Sequence, residues 1–115
     1  MADDQGTTGP FSIDDAGDVG GAALVVRSGS LSGVIHQLRA EVIVGRSPDC
    51  DIFLDDITVS RHHARITSAD GRVTLTDLDS LNGTYVNRRR IEERESLRHG
   101  DELQIGKFRL AFISA

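Results

Sequence analysis

Residues 63–76 read HARITSADGRVTLT, and this stretch decides the fold class. The segment Val73-Thr-Leu75 alternates between apolar and polar residues, which is typical of a strand with one buried face. Asp70-Gly71 lies between two such runs, and this dipeptide is typical of a tight hairpin turn. The stretch therefore predicts two antiparallel strands joined by a short turn.

Short runs of the same kind continue on both sides of the hairpin. Most are rich in Val, Ile, Thr or Phe, which favour strands, and glycines separate many of them. The predicted strands outside the hairpin are Ala22–Arg27, Val34–Leu38, Val42–Val44, Ile52–Leu54, Thr84–Val86, Glu102–Ile105 and Phe108–Ile113. No segment sustains a helical period, although Ile91–Leu97 could form one helical turn. Many short strands at close spacing predict an all-β sandwich or barrel.

The charge is unevenly distributed along the chain. Residues 1–20 hold five acidic residues and no Lys or Arg, whereas residues 21–115 hold 13 acidic and 13 basic residues. Residues 1–21 are rich in Gly, Asp, Ser and Thr without periodicity, so we predict a disordered acidic tail. Residues 22–115 are then one domain. A neutral domain with an acidic tail is a poor candidate for general nucleic-acid binding.

Cysteine content and hydropathy indicate the compartment. The single cysteine, Cys50, excludes an intramolecular disulfide and suits a reducing environment. No stretch is apolar and long enough to cross a membrane, and the acidic N-terminus is unlike a secretory signal. We therefore expect a cytoplasmic protein without membrane contact, and a monomer by default.

Three polar clusters lie between predicted strands, where a sandwich displays its loops. They are Gly45-Arg46, Thr58–Ala64 and Asp79–Asn87. Each has an ordinary interpretation when taken alone, since they could be a solvated arginine, a turn with structural hydrogen bonds and a hairpin turn. Arginine is nevertheless well suited to bind phosphate, because its planar guanidinium donates two parallel hydrogen bonds.

The middle cluster does not indicate a metal site or a catalytic nucleophile. His62 and His63 are adjacent, so their side chains point to opposite faces of a strand, and no Cys or carboxylate stands at ligand spacing. No Gly-x-Ser-x-Gly elbow is present and nothing marks an oxyanion hole. We therefore predict no metal, no cofactor and no enzymatic activity.

Taken together and in order, the three clusters resemble the signature of the forkhead-associated (FHA) domain family. The series is Gly45-Arg46, then Ser60-x-x-His63, then Asn82-Gly83-Thr84. The sequence between these motifs also resembles the family, and the resemblance covers roughly residues 22–113. The resemblance implies a mostly antiparallel β-sandwich of about eleven strands, with binding loops at one end. It also implies recognition of phosphothreonine in Ser/Thr kinases or their substrates, downstream of kinase signalling.

The resemblance also implies a role for each motif residue. Arg46 and Ser60 would bind phosphate oxygens, Arg61 would add positive charge, Asn82 would hold the ligand backbone, and Ser80 and Leu81 would border the phosphate. The residues that would support the site are Gly45, His63, Gly83 and Thr84. Thr58 would influence which residue is preferred after the phosphothreonine.

The motif block is most similar to small actinobacterial FHA regulators with a phosphorylatable N-terminal tail. That branch binds enzymes of 2-oxoglutarate and glutamate metabolism, and its phosphorylated tail folds back onto the FHA pocket. Thr7 and Thr8 are the corresponding candidate phosphosites here. Gly6 precedes the pair and Gly9-Pro10-Phe11 follows it, whereas the branch has acidic residues before and Val-Phe after.

Three alternatives to phosphopeptide binding stay open. The chain could be a phosphate-independent adaptor or inhibitor that binds a metabolic enzyme through the same loops. It could bind nucleic acid through Arg88-Arg89-Arg90, although few aromatic residues are present for base stacking. An enzyme is the third alternative, but the carboxylates are scattered and no acid–base pair stands out.

Overall fold

Strands dominate the part of the chain that the computed structural model describes, residues 18–114, with side-chain burial defined from residue 21. The strands are β1 (Asp18–Val26), β2 (Ile35–Arg39), β3 (Glu41–Gly45), β4 (Ile52–Phe53), β5 (Ala64–Ala69), β6 (Arg72–Asp77), β7 (Thr84–Val86), β8 (Arg89–Arg90), β9 (Arg94–Ser96), β10 (Glu102–Ile105) and β11 (Phe108–Ile113). A single 3-10 turn, Gly29–Leu31, interrupts the connection from β1 to β2. The predicted all-β class is confirmed.

The strands form two sheets. One sheet has the order β9-β6-β5-β3-β4 and the other has the order β2-β1-β11-β10-β7-β8. Only the β3–β4 pair is parallel among these strands, with Val44 opposite Ile52, and the other pairs are antiparallel. The predicted two-sheet, mostly antiparallel architecture is confirmed.

The hairpin of β5 and β6 has the turn that its sequence predicts. Ala69 is opposite Arg72, so Asp70 and Gly71 alone connect the strands. Their φ angles are 55° and 75°, the left-handed region that both central residues of a type I′ turn require. This turn matches the twist of the strands, and it places the hairpin tip at the end of β5 farthest from Ala64.

Alternating burial along the strands builds the core. Ile66 of β5, Leu75 of β6 and Leu110 of β11 are fully buried, and neighbouring residues along each strand are more exposed. Inward-facing residues of both sheets belong to one apolar cluster. A core shared by two sheets fixes which face of each strand points outward, because a shift of one residue would reverse every side chain.

Two features differ from the sequence prediction. The suggested helical turn in Ile91–Leu97 is wrong, because Arg94–Ser96 forms strand β9 against β6. Ile91 and Leu97 are buried on either side of this charged strand, so tertiary packing decides its conformation. In addition, β1 begins at Asp18, so residues 18–21 lie in a strand, while residues 1–17 of the predicted tail lie outside the described residues.

The loops at one end of the sandwich carry the three polar clusters. They connect β3 to β4, β4 to β5 and β6 to β7, and the β10–β11 turn joins them through a hydrogen bond from Lys107 N to Thr58 Oγ1 (2.9 Å). Among residues 18–114, no helix has the length and apolar character that a membrane span requires.

Candidate functional site

Backbone and side-chain hydrogen bonds connect the loops at this end. Arg46 N donates to Ser60 O (3.0 Å), which joins the β3–β4 loop to the β4–β5 loop. Leu81 N donates to Ser60 Oγ (2.9 Å), and Asn82 Nδ2 donates to Thr58 O (2.9 Å), which join the β6–β7 loop to the β4–β5 loop. The sequence-separated clusters are therefore brought together at one surface.

Gly45 is required by the close approach of two backbones. Its backbone is buried, and a β-carbon there would collide with the carbonyl oxygen of Arg61 and lie 2.9 Å from Cys50 Sγ. The neighbouring bond from Ser47 N to Arg61 O (3.1 Å) holds this carbonyl in place. A side chain at residue 45 would push the two loops apart.

Arg46 presents its guanidinium at the surface from an anchored position. The side chain is exposed, and its Nε donates to Val59 O (3.0 Å). Within residues 18–114 the two terminal guanidinium nitrogens have no hydrogen bond or ion pair. An arginine that is held at Nε and has both terminal nitrogens available can bind an anion with little further loss of side-chain entropy.

His63 connects two of the loops from below the surface. Its ring is fully buried, its Nδ1 accepts from Ser60 N (3.0 Å) and its Nε2 lies 2.8 Å from Gly83 O. This pair of partners assigns the proton to Nε2, since a backbone carbonyl only accepts. Burial lowers the pKa of His63, which favours this neutral ring.

Asp77 organises the β6–β7 loop. Its carboxylate accepts from Ser80 Oγ (2.5 Å) and Thr84 Oγ1 (2.7 Å), and Ser80 Oγ in turn accepts from Gly83 N (3.0 Å). Partial burial by itself raises the pKa of Asp77, but the hydrogen bonds from Ser80 and Thr84 outweigh it and lower the pKa. The charged carboxylate is thus the acceptor that shapes this loop.

Because of these hydrogen bonds, the Ser80 side chain points inward, whereas its neighbours Leu81 and Asn82 are exposed. The Ser80 side chain is buried and its hydroxyl is occupied by Asp77 and Gly83, so the structure places it beneath the loop surface. Leu81 is 86% exposed and Asn82 is exposed, so both can contact a ligand directly. The φ of Gly83 is +88°, and Thr84 is fully buried behind it.

Thr58 is fixed by a short acidic turn. Asp56 Oδ2 accepts from both Thr58 N (2.9 Å) and Thr58 Oγ1 (2.5 Å), and Lys107 Nζ lies 3.0 Å from Asp56 Oδ1. The hydrogen bonds from Thr58, followed by that from Lys107, lower the pKa of Asp56 to about 2. Thr58 also lines a surface depression with Asn82 and Lys107, beside the meeting point of the loops.

Asp77 and Asp56 are the residues that sequence reasoning missed. Each has a local signal, because an Asp side chain often accepts from a hydroxyl or backbone N–H two or three residues later. Asp56 precedes Thr58 by two residues, and Asp77 precedes Ser80 by three. No local sequence pattern indicates that Lys107 contacts Asp56 and Thr58, because Lys107 is 49 residues from Thr58.

The three consecutive arginines lie on the β7–β8 edge of the second sheet, where Arg88 lines the same surface depression as Thr58 and Asn82. Arg89 is paired with Glu95 (2.8 Å), and the Arg90 side chain passes directly over Gly83. Two of the three residues therefore have structural neighbours, which weakens the idea of a basic surface for nucleic acid.

Asp49, Cys50 and His62 have ligand atoms that all lie within 4.8 Å of one another, although their sequence spacing gave no such indication. The contact arises because the β3–β4 loop packs against the β4–β5 loop. This packing between loops cannot be recognised from the sequence. The absence of a metal site stays a prediction.

The family model described as FHA domain matches residues 42–106, which extend from β3 to the end of β10 and include the loops of the site. The chain belongs to the FHA domain family. This finding confirms the resemblance that the motifs carry.

FHA relatives include small actinobacterial regulators. The chain is 53% identical to an "Oxoglutarate dehydrogenase inhibitor" of Corynebacterium diphtheriae, over 82% of this chain and 66% of that protein. It is 46% identical to the "Glycogen accumulation regulator GarA" of Mycolicibacterium smegmatis, over 95% of this chain and 69% of that protein. The chain thus spans about two thirds of the length of these relatives.

Solved structures share the architecture. A structure from a study of "phosphothreonine-dependent FHA domain interactions" superposes with a TM-score of 0.77 and 32% identity, covering 83% of this chain and 97% of that chain. The similarity extends over nearly the whole of that domain, so the two share the complete FHA sandwich.

Proposed function

We propose that this FHA domain binds phosphothreonine peptides at the Arg46–Ser60 surface and carries out no chemical turnover. The observation that carries the proposal is the anchored Arg46 guanidinium, whose fork is free beside the loop of Ser60 and Arg61. An FHA structure similar to this chain is described as phosphothreonine-dependent. Relatives named as inhibitor and regulator also support a binding function rather than catalysis.

The charge and hydrogen-bonding capacity of the site suit a phosphate group. A phosphothreonine carries about −1.5 to −2 charge at pH 7 and three strong acceptor oxygens. Arg46 supplies two charge-assisted donors, Arg61 adds charge in the same loop cluster, and the Ser60 hydroxyl and Leu81 N–H lie together. The Ser60 hydroxyl accepts from Leu81 N and so keeps its own proton for a phosphate oxygen.

Asn82 and Leu81 would contact the remainder of the phosphothreonine. Asn82 is held by its bond to Thr58 O, at a position where its amide can meet a peptide backbone. The Leu81 side chain is exposed next to Asn82, and we propose that it covers the threonine methyl. One buried methyl is worth about 0.8 kcal/mol, so a preference for threonine over serine of several-fold is expected.

The proposal is tested by fluorescence anisotropy with one peptide pool in three forms: phosphothreonine, phosphoserine and unmodified. We expect micromolar binding of the phosphothreonine form, weaker binding of the phosphoserine form, and reduced affinity for the phosphothreonine form in Arg46→Ala and Ser60→Ala. Equal binding of all three forms would refute recognition of phosphate.

A second candidate function is phosphate-independent binding of a folded enzyme through the same end of the sandwich. Ile57 and Leu81 are 88% and 86% exposed, and they lie in two loops that are hydrogen-bonded to each other. A folded partner bound at these loops would remove both apolar side chains from water. The relative named oxoglutarate dehydrogenase inhibitor supports a metabolic enzyme as the partner.

The two modes can be separated by one substitution. The uncharged substitution Ile57→Ser should weaken inhibition of a purified actinobacterial 2-oxoglutarate dehydrogenase while leaving phosphopeptide affinity nearly unchanged. An excess of phosphothreonine peptide should relieve inhibition by the unsubstituted protein. Inhibition that persists in both experiments would place the enzyme contact outside this surface.

The tail is a further part of the proposal. Thr7 and Thr8 lie outside the described residues, and their phosphorylation by a Ser/Thr kinase stays a prediction. We expect phosphorylation of either threonine to weaken binding of external phosphopeptides, since a tethered ligand has an effective concentration on the order of millimolar. Unchanged affinity after complete tail phosphorylation would refute this. The cytoplasmic location and the monomeric state also stay predictions.

A further inference from the structure

The cluster of Asp49, Cys50 and His62 lies beside the proposed peptide surface and has no part in the proposed function. Asp49 and Cys50 belong to the β3–β4 loop, and His62 belongs to the β4–β5 loop. His62 Nε2 is 3.3 Å from Asp49 Oδ1, and the Cys50 sulfur is within 4.8 Å of both. A thiol, an imidazole and a carboxylate from two loops thus converge on one point.

We propose that Asp49, Cys50 and His62 form a binding site for a thiophilic divalent cation of the Zn²⁺ class. The three protein ligands would leave one position of a tetrahedral shell for water. When the metal binds, the Cys50 thiol releases its proton to solvent and the thiolate coordinates the cation.

The donor distances are close to those of a tetrahedral site. Zn²⁺ binds imidazole nitrogen at about 2.0–2.1 Å and carboxylate oxygen at about 2.0–2.2 Å, which places such a pair roughly 3.3–3.5 Å apart. The observed separation of His62 Nε2 and Asp49 Oδ1 is 3.3 Å. The sulfur needs to approach this pair by only about 1 Å, since Zn–S bonds are about 2.3 Å long.

Backbone hydrogen bonds hold the two loops in this arrangement. Cys50 N donates to Ser47 O (3.0 Å) and Ser47 N donates to Arg61 O (3.1 Å), so the ligand-bearing segments are joined. Ile43 N donates to Asp51 Oδ2 (2.8 Å), which closes the β3–β4 loop onto its own strand. A site built on fixed backbone segments requires little ordering when the metal binds.

The donor set and the local charge favour a soft cation over Mg²⁺ or Ca²⁺. Thiolate and imidazole ligands select Zn²⁺ and similar transition metals, whereas Mg²⁺ and Ca²⁺ prefer oxygen ligands. Cys50 is 8% exposed, and its thiol donates to Arg61 O (3.3 Å) in the metal-free arrangement. Asp49 and Asp51 place negative charge near this sulfur, and that charge attracts a cation.

The structure suggests what the metal would do. Coordination ties the loop that follows Arg46 to the loop that holds Ser60 and Arg61. A ligand that binds only the folded state stabilises it by RT ln(1 + [L]/Kd), so Zn²⁺ at a concentration well above its Kd should raise the unfolding midpoint by roughly 5 °C or more. The site itself stands on Asp49, Cys50 and His62 and does not depend on phosphopeptide binding.

Cobalt provides a direct probe of the proposed coordination. The reduced protein, without a histidine tag, is titrated with Co²⁺ while the near-ultraviolet spectrum is recorded. We expect a saturable sulfur-to-cobalt charge-transfer band at one metal per chain, which Zn²⁺ displaces. Cys50→Ser should abolish the band, and His62→Ala and Asp49→Asn should each weaken Co²⁺ binding by about tenfold or more.

The matched control is His99→Ala, which removes an exposed histidine distant in sequence from the cluster and should leave Co²⁺ affinity unchanged. Circular dichroism verifies that each variant is folded, and His62→Ala is the safest variant because its side chain is 51% exposed. The proposal is overturned by the absence of a saturable band, or by a band whose affinity is the same in His62→Ala. A band that needs two chains per metal would also overturn it, because it would indicate bridging through an isolated thiol.

Discussion

The ligand-facing surface and the layer beneath it are built from different chemistry. At the surface, Arg46 and Asn82 are exposed, and each is fixed by one hydrogen bond to a backbone carbonyl. Beneath it, the side chains of His63, Ser80 and Thr84 are buried, and their polar groups are hydrogen-bonded within the domain. The surface therefore keeps donors free for a ligand, while the lower layer uses its donors to set loop shape.

This difference indicates which property each layer should control. A buried polar network is costly to disrupt, because each lost partner leaves a group unsatisfied in a medium of low dielectric constant. An exposed donor loses little when it is removed, unless a ligand depends on it. Substitutions in the lower layer should thus reduce stability first, and substitutions at the surface should reduce affinity alone.

The largest effect is expected from Gly45→Ala in the lower layer. The added methyl collides with the Arg61 carbonyl, so the free energy of unfolding should fall by about 3 kcal/mol or more, measured by urea denaturation. Gly100→Ala is the matched control, since a β-carbon there meets nothing within 4 Å, although its φ of +92° adds strain. That control should cost only about 1 kcal/mol. Equal effects of the two substitutions would contradict the close approach at Gly45.

Arg46→Ala should have the largest effect on affinity and almost none on stability. Loss of a charge-assisted fork should weaken phosphothreonine peptide binding at least about 30-fold, measured by calorimetry. Arg46→Lys should recover only part of this, because an ammonium group cannot donate two parallel bonds. Arg72→Ala, an exposed arginine beside the Asp70–Gly71 turn, is the control and should bind normally. A similar loss in Arg72→Ala would indicate a diffuse charge effect.

Ser60→Ala tests the residue at the boundary between the layers. Its hydroxyl accepts from Leu81 N, and the proposal has the same hydroxyl donate to phosphate. We expect about a tenfold loss of affinity, the equivalent of one hydrogen bond to a charged group. The unfolding midpoint should change by only a few degrees, since the site is partly exposed. Full affinity in this variant would remove Ser60 from the phosphate contacts.

The smallest effect is expected from pH, and it should sharpen the assignment of His63 to the lower layer. Because burial lowers the pKa of His63 in the folded state, the unfolded chain binds a proton more readily below its ordinary pKa of about 6.5. Stability should be fully present above that pH and should decrease as pH falls through the folded pKa. His63→Gln should reduce this dependence, and His99→Gln, the control at an exposed histidine, should leave it unchanged. The opposite ranking would contradict the assignment.

The sequence predicts the fold well because the relevant signals are local. Alternation in Val73–Leu75 and the Asp70-Gly71 turn are readable over a few residues, and the structure has both. Strand β9 was missed because Arg94–Ser96 is charged and pairs at a sheet edge, where its partner in β6 decides its conformation. The short β8 was missed for a similar reason, since Arg89–Arg90 gains strand geometry only by pairing with β7.

The sequence predicts which residues form the site, but it does not predict which of their side chains are buried. The motifs bring Arg46, Ser60 and Asn82 into consideration, but they do not show that Ser80 is directed inward to Asp77. Nor do they show that Cys50 and His62 approach each other, because this contact depends on packing between loops. Local sequence reports which residues carry chemistry, and the tertiary structure decides which of them face solvent.

The most direct test of the central claim is an NMR titration of the ¹⁵N-labelled chain with phosphothreonine and unmodified peptides. We predict that the phosphorylated peptide shifts the Arg46 side-chain Nε–H and the Ser60 and Leu81 amides most strongly, with small shifts at Asp70 and Gly71 at the opposite end. The unmodified peptide should leave all of them in place. Largest shifts at the Asp70–Gly71 turn, or equal shifts with both peptides, would contradict a phosphate site at Arg46 and Ser60.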